Sequence, residues 1–188
     1  RVLNPLDKTH GLRYVSSTSF LQELTMNNNN NLVKVADLCD EYREQIRMLS
    51  PIFNDFGGKK TFNGKAATIK CFEDNTSVKA LSLTPGNGRI LVVDGGGSAR
   101  CALLGDNLGA NLVNNGWQGA IIYGFIRDSA ELALLPIGVK ALGSVPMGPI
   151  KLKEGVLGQP LEFAGQTIND GDHIYADEDG IIILNIAD

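Results

Sequence analysis

An aspartate and an Arg–Asp pair stand at a spacing that could assemble a site for an anion and a metal ion. Asp106 is followed, after the twenty residues 107–126, by Arg127 and Asp128. The intervening residues read as one helix and one apolar strand, so the chain would leave one strand, descend a helix and return along a parallel strand. Both strand ends then lie at one edge of the sheet, where open α/β sheets bind their ligands.

Asp106 has two interpretations at the start of its helix. As the N-cap, it would satisfy a free backbone N–H and stabilise the helix. In a functional site, it would orient a water for proton transfer, and the first-turn amides of residues 105–108 would hold a substrate carboxylate. Gly105 would let a ligand approach the backbone closely. The capping role is the simpler one for Asp106 alone, whereas its spacing to Arg127 favours the functional role.

Arg127 and Asp128 supply complementary chemistry. Arg127 offers a fork of donors that suits a carboxylate or enolate oxygen. Asp128 offers a hard oxygen ligand to Mg²⁺ or Mn²⁺, and magnesium is usually held by one or two protein carboxylates together with water. Because an Arg–Asp dipeptide is common, a solvated surface ion pair is the alternative.

The composition excludes several classes of protein. The chain has 188 residues, 43% of them hydrophobic and 20% charged, as expected for one globular domain. A net charge of −4 gives no basic face for nucleic acid, and no apolar stretch approaches the length of a membrane span. The three cysteines, predicted to be buried thiols, fit neither a disulfide framework nor a zinc site. We therefore expect a cytoplasmic protein.

The chain divides into an extension and a domain. Residues 1–33 contain a tract of five asparagines and predict an arm or a partly disordered tail, with an organellar presequence as the alternative. Residues 34–188 carry the domain, beginning with a helix that Pro51 would close. Apolar runs predict buried strands at 90–94 and 120–124. The front half is predicted to be α/β and the tail β-rich.

Two further motifs receive structural interpretations. The GGGSAR segment, residues 95–100, fits no phosphate-binding pattern and predicts a turn between strands; Arg100 would face the site or a neighbouring subunit. The acidic segment 171–180 departs from the calcium-loop pattern and predicts a solvated hairpin. His173 is assigned a structural role.

Four segments together resemble one known family. They are VVDGGGSARCALLGDNL, NNGWQGAIIYGFIRD, CFEDN and GDHIYADEDGIII. They closely resemble the family named for the regulator of ribonuclease E activity A (RraA), which includes the class II 4-hydroxy-4-methyl-2-oxoglutarate aldolases. The resemblance covers about residues 34–186. It implies an α/β fold in one domain, a three-layer β/β/α sandwich of the swivelling-domain (phosphohistidine-domain-like) type, assembled as a homotrimer or hexamer with its sites at subunit interfaces.

The resemblance also implies the roles of individual residues. The catalytic residues would be Asp106 and Arg127, and the metal ligand Asp128, with Mg²⁺ as the cofactor and Mn²⁺ as the alternative. The substrate-binding residues would be Gly105, Asp106, Asn107, Leu108 and Arg127. The implied activity is cleavage of a small 2-keto acid of the 4-hydroxy-4-methyl-2-oxoglutarate type to pyruvate, accompanied by oxaloacetate decarboxylation.

A non-catalytic regulator is the competing interpretation. Family members of that type bind and inhibit a ribonuclease, and an acidic protein suits contact with a basic region of such a partner. These members can lack the aspartate that follows the arginine, whereas this chain retains Asp128.

Overall fold

Short helices are interspersed among the strands of the first part of the described chain, and strands alone follow the last of these helices. The structure is a computed structural model that describes residues 33–151 and 155–185. The helices of this part are α1 (Val35–Glu41), α2 (Thr76–Ser82), α3 (Asp106–Asn114) and α4 (Ser129–Leu132). The strands are β1 (Arg47–Met48), β2 (Asn54–Asp55), β3 (Phe62–Lys70), β4 (Ile90–Asp94), β5 (Ala102–Leu104), β6 (Gly119–Ile126), β7 (Gly138–Ser144), β8 (Val156–Leu157), β9 (Leu161–Phe163), β10 (Gln166–Ile168), β11 (His173–Ala176) and β12 (Ile181–Ile183).

A curled sheet of ten strands forms the body of the molecule. Its hydrogen-bonded order is β1-β12-β11-β3-β4-β6-β7-β2, with β5 paired to β6 and β8 paired to β3. Strands β3, β4, β6 and β7 are parallel neighbours, and β5 also runs parallel to β6. Strands β9 and β10 form a separate antiparallel pair. The parallel strands therefore present all their carboxyl ends at one edge.

The central strand β4 separates two apolar cores. All five of its residues are buried, as its continuous apolar run predicts. Leu91 and Val93 face a core that includes Leu108 and Leu112 of α3. Ile90 and Val92 face the other core, on the side of β9 and β10. Because successive side chains of a strand alternate between its faces, one short run of residues supports packing on both sides of the sheet.

The unit β5-α3-β6 positions the predicted site. Helix α3 turns its apolar face, with Leu112 fully buried, towards the sheet. Truncating such a side chain would cost about 2–5 kcal/mol of the free energy of unfolding. Strand β6 then returns beside β5 in parallel. The predicted strand–helix–parallel strand arrangement is confirmed.

Two local predictions are wrong. The first helix does not extend to Pro51; it ends at Glu41, because Arg47 and Met48 pair with Ile183 and Ile182 of β12 and become an edge strand. Their pairing covers the backbone groups that β12 would otherwise expose at the edge of the sheet. Cys71 and Cys101 are buried as predicted, but Cys39 is only half-buried.

The mixed α/β class in one domain is confirmed, with few helices and a curled sheet. The finer assignment to the swivelling-domain type stays a prediction. Residues Val33–Ile186 form one compact unit, and the arm predicted for residues 1–33 lies, except for its last residue, outside the described part. In the described ranges, no helix has the length and apolar character needed to cross a membrane.

Candidate active site

A cavity of about 640 Å³ lies at the carboxyl ends of β5 and β6. It contains every residue to which the sequence assigned a catalytic, substrate-binding or metal-binding role. These lining residues are Gly105, Asp106, Asn107, Leu108, Arg127 and Asp128. The structure therefore brings Asp106 into one cavity with Arg127 and Asp128, although twenty residues separate them in the sequence.

Backbone contacts bring the two segments together. The N–H of Arg127 donates to the carbonyl oxygen of Leu104 at 3.0 Å, which joins the end of β6 to the end of β5. A Cβ atom at Gly105 would lie only 2.6 Å from Asp128 Oδ2 and 3.2 Å from Arg127 Cγ. A side chain at this position would push the Asp128 carboxylate away and crowd Arg127, so glycine allows the two segments to approach closely.

Asp106 is not the N-cap of α3. Gly105 occupies that position with an extended backbone, and Asp106 is the first helical residue. Its Oδ1 accepts hydrogen bonds from the backbone N–H of Asn107 at 2.6 Å and from Asn107 Nδ2 at 2.9 Å. The carboxylate therefore satisfies a first-turn amide from within the helix. The Asn107 amide, predicted to be free for an anion, is occupied by Asp106 in this conformation.

Arg127 and Asp128 form an ion pair that remains open to solvent. Arg127 Nε lies 3.3 Å from Asp128 Oδ2, and the side chains are 45% and 36% exposed. At this exposure the ion pair contributes little to the free energy of unfolding. Each group can therefore leave the other and bind a ligand at a small cost in free energy. A Cβ atom at Gly148 would lie 2.9 Å from Arg127 Nη1, so the loop after β7 also closes on the guanidinium.

The backbone of Asp128 is unusual. It adopts the left-handed conformation, with φ 54° and ψ 45°, at the N-terminal boundary of α4. Its carbonyl oxygen accepts from the N–H of Leu132 at 3.0 Å. Aspartate and asparagine tolerate this conformation better than other non-glycine residues. The turn directs the chain out of β6 so that two consecutive side chains line one cavity, which a continuing strand would not allow.

Sequence reasoning missed several lining residues, of which Asn75 is the most informative. Asn75 immediately precedes α2, and its Nδ2 donates to the carbonyl oxygen of Leu103 at 3.2 Å. Its Oδ1 is buried without a hydrogen-bond partner in the described part of the chain. The CFEDN segment contained this asparagine, but no spacing rule connects it to residue 106. The cavity also includes Lys79, Asn111 and Lys151.

The lining residues fit a hard divalent cation. Among the described residues, the wall offers carboxylate and amide oxygens and contains no cysteine or histidine. No described group of three or more His, Cys, Asp or Glu side chains could form a metal cage. One or two carboxylates with water is the arrangement that Mg²⁺ prefers, and softer metals prefer nitrogen and sulfur ligands.

Arg100 does not contribute to this cavity. Its Nε lies 2.5 Å from Glu73 Oε1, and its guanidinium packs over the ring of Phe72. Ser98 also donates to Glu73 Oε1, at 2.6 Å. These contacts stabilise the turn that follows β4, which agrees with the interpretation of the GGGSAR segment as a turn between strands.

The chain belongs to the RraA-like family. The family model, described as Aldolase/RraA, matches residues 35–183. A relative from Alkalilimnicola ehrlichii is 52% identical over 151 residues, which span 80% of this chain and 94% of the relative. That relative is named "Putative 4-hydroxy-4-methyl-2-oxoglutarate aldolase".

Two solved structures share the fold. The RNA-processing inhibitor RraA from Thermus thermophilis aligns with a TM-score of 0.78 at 39% identity, over 81% of this chain and 92% of that protein. An S-adenosylmethionine:2-dimethylmenaquinone methyltransferase from Geobacillus kaustophilus aligns with a TM-score of 0.80 at 42% identity, over 82% and 96%. These similar proteins bear names for three different activities, so the choice among them depends on the chemistry of the site.

Proposed function

We propose that this protein is a divalent-metal-dependent lyase that cleaves 4-hydroxy-4-methyl-2-oxoglutarate or a similar 2-keto acid to pyruvate, and that it also decarboxylates oxaloacetate. The convergence of Arg127, Asp128 and Gly105 in one cavity is the observation that carries the proposal. The names of the aldolase-like relatives support the same class of reaction.

Each residue has a role that its position allows. The guanidinium of Arg127 binds the carboxylate or the keto oxygen of the substrate, and its charge stabilises the pyruvate enolate that develops as the C–C bond breaks. The Gly105–Leu108 segment offers first-turn amides to the same anion. Asp106 rotates away from the Asn107 amide and, through a water, accepts the proton that the C4 hydroxyl loses as the C–C bond breaks, then returns a proton to the enolate carbon to give pyruvate.

The proposed cation would be held by Asp128, whose carboxylate, among the described residues, is engaged only by the solvent-exposed ion pair with Arg127. When bound, Mg²⁺ or Mn²⁺ supplies Lewis-acid stabilisation of negative charge on the substrate oxygens. Because few protein oxygens surround the position, most of the coordination shell remains for water and substrate. The metal should therefore bind weakly to the free protein and be lost on dialysis.

We also propose that the protein works as a homotrimer or hexamer with the cavity at a subunit interface. Three exposed apolar side chains lie in or beside the cavity wall: Leu83 is 53% exposed, Met147 65% and Ile150 74%. Clustered apolar exposure of this kind marks an interaction surface. A neighbouring subunit seated there would exclude water from the reaction and would add residues that select the substrate.

The alternative is a non-catalytic regulator that binds a ribonuclease of the E type. The likeness to the Thermus RraA structure favours it. The net charge of −4 suits a basic segment of a protein partner rather than RNA itself. Asp128 distinguishes the two functions, since a regulator that works by surface contact has no need of a carboxylate inside the cavity.

A coupled assay of pyruvate release tests the proposal. The full chain is supplied with 4-hydroxy-4-methyl-2-oxoglutarate or oxaloacetate, with Mg²⁺ or with a chelator. We expect Mg²⁺-dependent turnover that Arg127→Ala and Asp128→Ala each reduce by at least about 10²-fold. Arg43→Ala, which removes an exposed guanidinium outside the cavity, serves as the matched control and should keep full activity.

Two results would overturn the lyase assignment. One is wild-type protein that releases no pyruvate from either substrate at any Mg²⁺ concentration. The other is a folded Asp128→Ala variant that retains full turnover. Inhibition of a ribonuclease E-type enzyme by wild-type and Asp128→Ala protein alike would then support the regulator.

A further inference from the structure

A second cavity, of about 500 Å³, lies at the opposite edge of the parallel sheet, where β4 and β6 begin. Its wall includes Arg89, which precedes β4, and Gln118, which precedes β6. Lys65 of β3 and His173 of β11 face each other in register and close a third side. The described residues that line the cavity carry amide and basic side chains and no carboxylate.

This cavity is basic although the protein as a whole is acidic. The protein has a net charge of −4, yet Lys65 and Arg89 both reach this cavity. Lys59 lies beside it, with Nζ donating to Gln118 Oε1 at 2.5 Å. Burial, and after it the positive charge of Lys65, lower the pKa of His173, so the charge of Lys65 acts on the imidazole that faces it. A positive potential of this kind favours an anion.

The neighbouring carboxylate does not cancel this charge. Asp172 precedes His173, but its oxygens accept hydrogen bonds from Arg47 Nη2 at 2.7 Å and from Asn185 Nδ2 at 2.8 Å. A carboxylate engaged in this way is already neutralised by its own partners. Lys65 and Arg89 therefore present uncompensated charge to the cavity.

The guanidinium of Arg89 is held in place before any ligand arrives. Its Nε donates to the carbonyl oxygen of Gly86 and its Nη2 to that of Pro85, both at 3.0 Å. Its Cζ lies 4.9 Å from the centre of the Trp117 ring. Its Nη1 has no hydrogen-bond partner in the described ranges. A preorganised donor loses little conformational entropy on binding an anion.

We propose that this cavity is a binding site for a small polyanion, which Arg89 and Lys65 hold by its phosphate or carboxylate groups. The amides of Asn63, Asn87 and Gln118 would orient the ligand. The volume lies in the range of small-ligand pockets, and the acidic net charge disfavours a nucleic acid. The site is separate from the cavity of Arg127 and does not depend on the proposed lyase activity.

Isothermal titration calorimetry of the full chain tests the site. The probes are inorganic pyrophosphate and citrate, which separate a phosphate from a carboxylate preference. We expect one of them to bind with a stoichiometry of one per chain. Lys65→Gln and Arg89→Gln should each weaken that binding by roughly tenfold or more, because each removes a charge-assisted contact. Lys34→Gln removes an exposed lysine outside the cavity and should change nothing.

A titration of Arg127→Gln excludes binding in the other cavity. Binding that survives Arg127→Gln and weakens in Lys65→Gln supports the proposal. Lys65 is exposed, so its variant should fold even if Arg89→Gln disturbs the turn of residues 85–88. The proposal is overturned if neither probe binds at millimolar concentration, or if binding is unchanged in Lys65→Gln.

Discussion

The backbone N–H of Arg127 donates a 3.0 Å hydrogen bond to the carbonyl oxygen of Leu104. This one contact joins the residue that ends β5 to the residue that follows β6. It sets the distance between the helix start at Asp106 and the ion pair of Arg127 with Asp128. The chemistry proposed for the cavity therefore depends on strand pairing as well as on the side chains themselves.

Gly105→Ala should separate activity from folding. The backbone at Gly105 has φ −142° and suits alanine, but the new methyl group would lie 2.6 Å from Asp128 Oδ2. The carboxylate must then move, and a displacement of about 1 Å in an active site can cost about 10²-fold in rate. Pyruvate release should fall by this factor while the midpoint of urea unfolding changes little. Gly180→Ala, where a Cβ meets open space, is the control; equal activity of the two variants would contradict the close approach.

Asp106→Asn should distinguish proton transfer from helix stabilisation. The asparagine oxygen can still accept from the Asn107 N–H, as Asp106 Oδ1 does, so the free energy of unfolding should change by less than about 0.5 kcal/mol. Loss of the ionisable group should reduce turnover by about 10²-fold or more. The rate of pyruvate release and a urea titration provide the two measurements, with Asp37→Asn on α1 as the control. Full activity of Asp106→Asn would assign the residue to the helix alone.

Lys140 should prove important for stability rather than catalysis. Its side chain is 4% exposed, its Nζ lies 2.9 Å from Asp55 Oδ1, and it donates to the carbonyl oxygen of Asp177 at 2.5 Å. Lys140→Met leaves the Asp55 carboxylate without its partner and should cost about 3 kcal/mol of the free energy of unfolding. Lys34→Met at an exposed position should cost less than about 0.5 kcal/mol.

A double variant tests the cause of that loss. In Lys140→Met with Asp55→Asn, the uncompensated charge is absent, so urea unfolding should show part of the stability restored. No recovery would indicate that the contact with the Asp177 carbonyl oxygen dominates instead.

The thiol of Cys71 should be unreactive in the native protein. Burial, followed by the nearby charges of Asp74 and Asp94, raises its pKa to about 12. Little thiolate exists at pH 8, and the thiolate is the nucleophile. Iodoacetamide labelling followed by mass spectrometry should modify the half-buried Cys39 first and Cys71 only after denaturation. Since the folded pKa exceeds the usual value of 9.0, this thiol favours the folded state below pH 9, and that contribution is lost as the pH rises towards 12. Rapid native labelling of Cys71 would contradict the burial.

The sequence predicted those elements whose apolar pattern or spacing is uninterrupted along the chain. Ile90–Asp94 reads as a strand buried on both faces and is one, because four consecutive aliphatic residues, Ile90–Val93, leave no polar face to expose. The spacing from Asp106 to Arg127 predicted a crossover, because one helix and one strand fill it and a parallel return is the usual connection. Both inferences rest on local pattern and chain connectivity.

What the sequence could not predict depends on tertiary partners. The apolar spacing of residues 35–49 suggested one long helix, but Arg47 and Met48 pair with β12, more than 130 residues further along the chain. Strand pairing between residues so far apart in the sequence leaves no recognisable pattern in the residues around either strand. For the same reason Asn75, whose Nδ2 contacts the Leu103 carbonyl oxygen, was not recognised as part of the cavity.

The left-handed backbone conformation at Asp128 has opposite consequences for the stability of the protein and for its proposed activity. Glycine would fit a φ of 54° with less strain, so Asp128→Gly should leave the protein as stable as before or slightly more so. The carboxylate would nevertheless be gone. A variant library ranked only by thermal resistance would therefore favour glycine at this position, whereas one ranked by turnover would retain the acid.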